Sequence, residues 1–210
     1  MVKNTKNGEV RKKETNVLDL FCGAGGFAQG FKTEGFSVTG VDISDYAGKT
    51  FEINQFGLFQ QTDLSKNLIR GSFDVIVGGP PCKPWSAVNT TRRGKSHRDY
   101  VLLARFFKHI QANLPRVFLL ENVPLLAGEP ALKRYITRLR EEYGYSIESK
   151  VLKYSDYGAP TRRRRFLLYG TRVGEAQAFF DQLLTNKIEA RTVKDAIWEV
   201  RFVRQRFQRV

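Results

Sequence analysis

Cysteine, histidine, tryptophan and methionine are scarce in this 210-residue chain, which has two, two, two and one of them. The cysteines, Cys22 and Cys82, form no C-x-x-C pair, so neither a disulfide framework nor a structural zinc site is expected, and no metal is called for. No apolar run approaches the roughly 20 residues of a membrane span. The first nine residues lack the apolar core of a signal peptide. The expectation is a cytoplasmic protein, not associated with membranes, whose thiols are reduced. Acidic residues are also in deficit: 21 Asp and Glu face 35 Lys and Arg, a formal net charge of +14. That balance favours a polyanionic partner such as nucleic acid over a neutral metabolite, although many soluble proteins are basic and motifs must decide.

What is present is enough apolar content, 41%, for one packed core. Residues 1–16 are polar and read as a basic flexible leader, residues 17–200 as one folded domain, and residues 201–210 as a basic tail. Around that tail Trp198, Val200, Phe202 and Val203 mix with Arg201, Arg204, Arg206 and Arg209, suiting a helix end or an interface. Short apolar runs at 17–21, 37–41, 73–77, 117–120 and 165–169 predict buried strands. Amphipathic stretches at 27–34, 46–55, 100–113, 131–143 and 175–184 predict helices, with Leu103, Phe106, Phe107 and Ile110 at helical spacing. Such alternation predicts an α/β fold, a three-layer sandwich on a mainly parallel, Rossmann-like sheet, with ligands at the carboxyl ends of the strands.

Two of the loops after these strands carry chemistry. The first, Val17-Leu-Asp-Leu-Phe-Cys-Gly-Ala-Gly-Gly-Phe-Ala28, runs from a strand through glycines into a helix. Gly23 and Gly25 permit a sharp turn and a close backbone approach, and Asp42 ends the next strand, where an acid binds ribose hydroxyls. This describes a nucleoside cofactor site and leaves nicotinamide dinucleotides and S-adenosylmethionine equally open. A phosphate-binding P-loop is excluded, because Gly30 is followed by Phe31 and the Gly-Lys-Ser/Thr ending is missing. The alternative is a bare strand-to-helix turn.

The second is Gly78-Gly-Pro-Pro-Cys-Lys-Pro-Trp-Ser86. Glycines allow close passage and prolines restrain the loop, so Cys82 reads as a presented thiol rather than a small buried hydrophobe. A free thiol has a pKa of roughly 8.5, and Lys83, Arg92, Arg93, Lys95 and Arg98 are the nearby cations able to favour its thiolate. Cys22, inside the glycine loop, reads as packing.

These residues resemble the cytosine carbon-5 DNA methyltransferase family. Phe21-Cys-Gly-Ala-Gly-Gly26 is similar to its first motif, Pro81-Cys82 with Ser86 to its Pro-Cys motif, Phe118-Leu-Leu-Glu-Asn-Val123 to its Glu-Asn-Val motif, and Tyr157-Gly-Ala-Pro-Thr-Arg-Arg-Arg-Arg-Phe166 to its Gln-x-Arg-x-Arg motif. The four occur in the family's order over residues 17–170. The resemblance implies methyl transfer from S-adenosylmethionine to carbon 5 of a cytosine flipped out of double-stranded DNA. It makes Cys82 the nucleophile on carbon 6. It gives Glu121 the ring nitrogen 3 and the exocyclic amine, Asn122 the support of the loop, Arg163 the cytosine oxygen and Arg165 a structural or phosphate contact. It assigns Phe21, Gly23, Gly25, Asp42, Asp63 and Pro81 to the cofactor, with Asp63 equally readable as a helix cap. Ser86, Arg92, Arg93, Lys95 and Arg98 fall to the nucleic acid, on a candidate clamp over residues 87–99. Thr161 stands where the family has glutamine, so that glutamine's role is not carried over.

The family's target recognition domain has no counterpart before Val210, although Arg191-Thr-Val-Lys-Asp-Ala-Ile197 still resembles the segment preceding it. A split enzyme, whose second chain carries target recognition, is the favoured expectation over a truncated remnant or a minimal enzyme. A catalytically silent DNA-binding subunit and a transfer RNA cytosine-5 methyltransferase are the alternatives.

Overall fold

The structure, a computed structural model, describes residues 15–85 and 98–197, with Pro84 and Arg98 described in backbone only. Seven strands form one sheet: β1 (Asn16–Leu20), β2 (Ser37–Asp42), β3 (Leu58–Gln61), β4 (Val75–Gly78), β5 (Val117–Asn122), β6 (Ser146–Lys153) and β7 (Arg164–Thr171). Their order is β3-β2-β1-β4-β5-β7-β6. All neighbours are parallel except β7, which runs antiparallel to both β5 and β6. The carboxyl ends of β1 to β6 and the amino end of β7 therefore share one rim.

Among the described residues six helices complete the layers: α1 (Gly26–Thr33), α2 (Asp45–Ile53), α3 (Val101–Asn113), α4 (Pro130–Tyr143), α5 (Ala176–Thr185) and α6 (Val193–Ile197). Side chains alternate across a strand, and the core divides accordingly. Leu18, Leu20, Ile76, Phe118 and Leu120 pack with Leu103, Phe106, Phe107 and Ile110 of α3 and with α4. On the opposite face Val17, Val38 and Val77 pack with Ala28 of α1 and Phe51 of α2. Leu152 and Leu167 pack with Phe180 of α5. Each buried Leu, Val or Phe contributes roughly 1.5–3 kcal/mol by leaving water.

The five predicted helices form within two residues of their expected bounds, and the five predicted strands form too. The sheet's two outer strands, β3 and β6, were not anticipated. Gly78 sits where β4 passes β1; a Cβ there would come 2.7 Å from the Leu20 carbonyl and 3.1 Å from the Phe106 ring. His109 is structural: fully buried, it accepts from the Ile69 amide through Nε2 at 3.1 Å, while Nδ1 lies 2.7 Å from the Arg105 carbonyl. Burial holds its pKa down, which keeps the ring neutral. Among the described residues no helix is long and apolar enough to cross a membrane. No cluster of three metal-ligating side chains occurs among them either.

The expected leader falls on residues 1–16, of which 1–14 lie outside the described residues, as do all of the expected tail, 201–210, and residues 198–200 of the expected domain.

Candidate active site

Apolar β1 ends at Leu20, and the chain then makes three left-handed residues within five: Phe21 at φ 58°, Gly23 at 51° and Gly25 at 88°. For Phe21 that conformation costs of order 1–3 kcal/mol, and it persists only where the surroundings enforce it. The two glycines differ in use. A Cβ on Gly23 would meet nothing within 4 Å, whereas one on Gly25 would strike the Phe56 ring, so Gly23 faces open space and Gly25 serves packing. Asp42, at the end of β2, fixes this loop: Oδ2 accepts from the Gly23 amide and Oδ1 from the Ser44 amide, both at 3.0 Å.

Next to the loop opens a cavity of about 660 Å³, lined among others by Phe21, Asp42, Ile43, Asp63, Gly79 and Pro81. Its volume is that of a small-molecule site. Its lining also includes Asp99, at the end of the expected clamp, and Val101 and Leu102 at the start of α3, which the sequence did not single out. Asp63 both borders the cavity and closes a turn: its Oδ1 accepts from the Ser65 amide at 2.9 Å and the Ser65 hydroxyl at 2.6 Å. Those two Ser65 bonds hold its carboxyl below the usual range.

Beneath the loop lies Asp19, 1% exposed and with neither carboxylate oxygen hydrogen-bonded among the described residues. Burial pushes its pKa up to about 8. The Ala28 amide opposes the shift without bonding geometry, and the Asp42 charge adds to it. Burial likewise drives the Cys22 thiol upward, as does the Asp19 charge; the thiol stays neutral within the core around Phe51.

Cys82 follows the cavity-lining Pro81 and is partly exposed at the start of the helical turn Lys83–Trp85, whose Trp85 amide donates to the Cys82 carbonyl at 2.9 Å. Asn122, 1% exposed at the end of β5, donates to the Pro80 carbonyl at 2.9 Å and accepts from the Val123 amide at 2.9 Å. A buried side chain thus ties the thiol's loop to the strand that carries Glu121. The two also run close together: a Cβ added to Gly79 would sit 3.4 Å from Glu121 Oε2.

Glu121 is held from its other side. Arg165 Nε lies 2.8 Å from Oε1 and Arg163 Nη2 3.6 Å from it, and the Tyr154 hydroxyl donates to the same oxygen at 3.3 Å. Glu121 and Arg165 are each 17% exposed, while Arg163 is 52% exposed. The inner arginine is therefore committed to the carboxylate, and its Nη1 also donates to the Arg164 carbonyl at 2.8 Å. Tyr154, whose pKa burial raises to about 12, was not anticipated; its place beside Glu121 follows from the β6–β7 pairing that brings Lys153 opposite Arg164. Thr161, the departure from the family pattern, accepts from the Arg163 amide through its hydroxyl at 3.2 Å.

Ser86, Arg92, Arg93 and Lys95 lie outside the described residues, and Arg98 opens a helical turn, Arg98–Tyr100. The two flanks of this stretch meet on one acid: Trp85 Nε1 donates to Glu129 Oε2 at 3.0 Å, and the Tyr100 hydroxyl to Glu129 Oε1 at 2.8 Å. Their rings lie 5.6 Å apart.

The site thus joins a cavity closed by an aromatic and two acids to a presented thiol and a carboxylate held by arginines. Comparison with known proteins agrees with this geometry. A family model described as C-5 cytosine-specific DNA methylase matches residues 15–203. A type II methyltransferase of Haemophilus parahaemolyticus is 34% identical over 194 residues, covering 86% of this chain and 51% of the relative. One of Fusobacterium nucleatum is 33% identical over 200 residues, covering 88% and 55%. The chain spans about half the length of the curated relatives it matches. Among solved structures, a protein described as a DNA modification methyltransferase encoded within an E. coli prophage superposes with a TM-score of 0.67 at 28% identity, over 88% of this chain and 55% of that one. The S. pombe Dnmt2 methyltransferase shares the fold, with a TM-score of 0.63 at 17% identity over 87% and 58%. With a presented cysteine, a glutamate fixed by arginines and a family match across nearly all its length, the chain belongs to the C-5 cytosine-specific DNA methylases.

Proposed function

We infer that the chain is the catalytic part of a DNA (cytosine-5-)-methyltransferase that uses S-adenosylmethionine and attacks cytosine through Cys82. The observation that carries this reading is the tie between the thiol's loop and the Glu121 strand through Asn122, beside a cavity bounded by Phe21, Asp42 and Pro81. The residues present fit the cofactor: a left-handed glycine facing open space, an acid at a strand end and an aromatic at the cavity wall. Phe21 would cover the adenine, Asp42 the ribose hydroxyls and Asp63 the adenine amine, with Gly23, Gly25 and Pro81 shaping the cradle. When bound, S-adenosylmethionine supplies an electrophilic methyl group.

Carbon 5 of an intact cytosine ring is a poor nucleophile. The Cys82 thiolate forms a bond to carbon 6 and pushes an electron pair toward carbon 5 and nitrogen 3, where Glu121 supplies a proton and holds the amine. Arg165 keeps Glu121 oriented, and the more exposed Arg163 reaches the cytosine oxygen. After carbon 5 has gained its methyl group, loss of the carbon-5 proton re-forms the double bond and expels the thiolate. Because carbon 5 is unreachable in stacked DNA, the base is flipped. Ser86, Arg92, Arg93, Lys95 and Arg98 then hold the flanking phosphates. The greater length of the relatives supports target choice by sequence outside the stretch they share with this chain. A role in restriction and modification fits the type II relatives.

The test is transfer of labelled methyl groups to mixed-sequence duplex DNA, with transfer RNA as a second substrate. DNA label at cytosine carbon 5 that vanishes with Cys82→Ser supports the reading. Label in transfer RNA alone moves the substrate to RNA, and DNA binding without label in either substrate leaves a silent binding subunit.

A further inference from the structure

Outside the cysteine site the same rim of the sheet carries a second cavity, of about 580 Å³, between the end of β6, the loop ahead of β7 and the segment leading into α6. Its lining includes Lys153, Arg162 and Arg191 and the hydroxyl residues Ser155, Thr161 and Thr192, with no carboxylate. Among the described residues neither Lys153 nor Arg162 has an ion-pair partner. Arg191 makes one long bond, from Nη2 to the Asp195 carbonyl at 3.4 Å. Two acids stand close: Asp156 pairs with Lys187 at 3.1 Å, and the Asp195 carboxylate accepts from the amide and hydroxyl of the lining residue Thr192 at 2.8 and 2.7 Å and offsets part of the Arg191 charge. Glu189, one residue from the lining, is exposed.

Ser155 packs into the wall of the cavity. It is 6% exposed, and its hydroxyl has no hydrogen-bond partner among the described residues although the residue borders the cavity. A buried unpaired hydroxyl costs about 1–3 kcal/mol. The three cations of the lining, with no carboxylate among it, make negative charge the complement of the cavity.

We propose that Lys153, Arg162 and Arg191 form a pocket for a backbone phosphate of the substrate strand, separate from the loop 86–97. The inference rests on the DNA methyltransferase reading and extends it. Position selects a nucleic-acid phosphate over a free anion. Arg162 immediately precedes Arg163, and β6, which ends at Lys153, lies two strands from β5, which carries Glu121. At about 4.8 Å per strand that offset is roughly 10 Å. With a rise of about 3.4 Å per nucleotide along one strand, it falls within about three nucleotides of the base held at Glu121. The pocket touches strand and not base, so it contributes affinity and register without sequence preference.

The test uses the full chain and the triple variant Lys153→Gln, Arg162→Gln, Arg191→Gln, all three being exposed positions whose change leaves the core alone. Duplex affinity is measured across salt concentrations, S-adenosylmethionine affinity and melting temperature serve as controls, and wild-type methyl transfer is followed separately. The expected result is a slope of log K against log salt shallower by about one unit or more, a loss of about tenfold at low salt, a raised KM for DNA with kcat kept at saturation, and unchanged cofactor binding. Arg162→Glu alone weakens binding further than Arg162→Gln. If the triple variant keeps the wild-type slope and KM while the wild type transfers methyl groups, the pocket is overturned and the methyltransferase reading stands. Loss of inorganic phosphate binding with DNA affinity unchanged also overturns it, by showing a free-anion site. A wild type with no affinity for any duplex overturns both.

Discussion

Glu121 receives an arginine at 2.8 Å, a second at 3.6 Å and a tyrosine hydroxyl at 3.3 Å on one oxygen, which leaves Oε2 turned toward the cysteine's loop. Glu121→Gln keeps the shape and removes the ionisable carboxyl, so kcat for methyl transfer is expected to fall by about 10²–10⁴ while S-adenosylmethionine affinity, measured by calorimetry, holds. Tyr154→Phe deletes one donor worth about 1 kcal/mol, and the expected loss in kcat is tenfold or less. Equal losses in the two variants would contradict this division of labour. Asp19 makes a separate prediction. The folded chain keeps its proton up to about pH 8, against an ordinary carboxyl value of 3.8. Between these values the folded state binds more protons than the unfolded one, so this residue's contribution falls as pH rises through that window. Asp19→Asn removes the dependence. Its melting temperature should gain on the wild type as pH is raised from about 5 to about 8, and a constant gap would show that Asp19 is ionised in the fold.

At the scale of elements, the sequence was most legible where burial on both faces produces an apolar run, unbroken in β4 and interrupted only by Asp19 within Val17–Leu20 of β1, or where apolar residues recur at helical spacing, as in α3. The outer strands left no such trace. β3 reads Leu-Phe-Gln-Gln with Leu58 74% exposed, and β6 reads Ser-Ile-Glu-Ser-Lys-Val-Leu-Lys, charged as edge strands must be to resist pairing with other chains. Tyr154 and Lys153 sit at the end of β6, which is why that side of the site was invisible. Glu129 was missed for a different reason: it joins Trp85 and Tyr100 from a third segment and accepts from the Ala131 amide as the cap of α4. Burial, followed by the Glu129 bond, pushes the Tyr100 pKa up to about 12. Removing cap and anchor together in Glu129→Ala should cost about 1–3 kcal/mol in urea unfolding. A change within 0.3 kcal/mol of zero, roughly the scatter of such measurements, would mean that the acid holds neither flank.

For the whole molecule, the motifs were legible because each lies on one continuous stretch, whereas the tie from Asn122 to Pro80, the Glu121 cluster and the second cavity join segments far apart in sequence. The net charge of +14 gains meaning only in this frame, since the cations of the rim stand beside the cysteine site. Methyl transfer should therefore slow steeply with salt through KM for DNA, by tenfold or more between about 50 and 200 mM, and a salt-independent KM would remove the electrostatic part of the account.

The most direct measurement of the central claim is a covalent trap. Duplex DNA carrying 5-fluorocytosine is incubated with the chain and S-adenosylmethionine, because carbon 5 cannot shed fluorine as the departing cation and the bond to carbon 6 persists. A DNA adduct is expected on the peptide that contains Cys82, dependent on cofactor and absent from Cys82→Ser. Methyl label entering ordinary DNA while the trapped adduct forms on another residue, or on none, would contradict it.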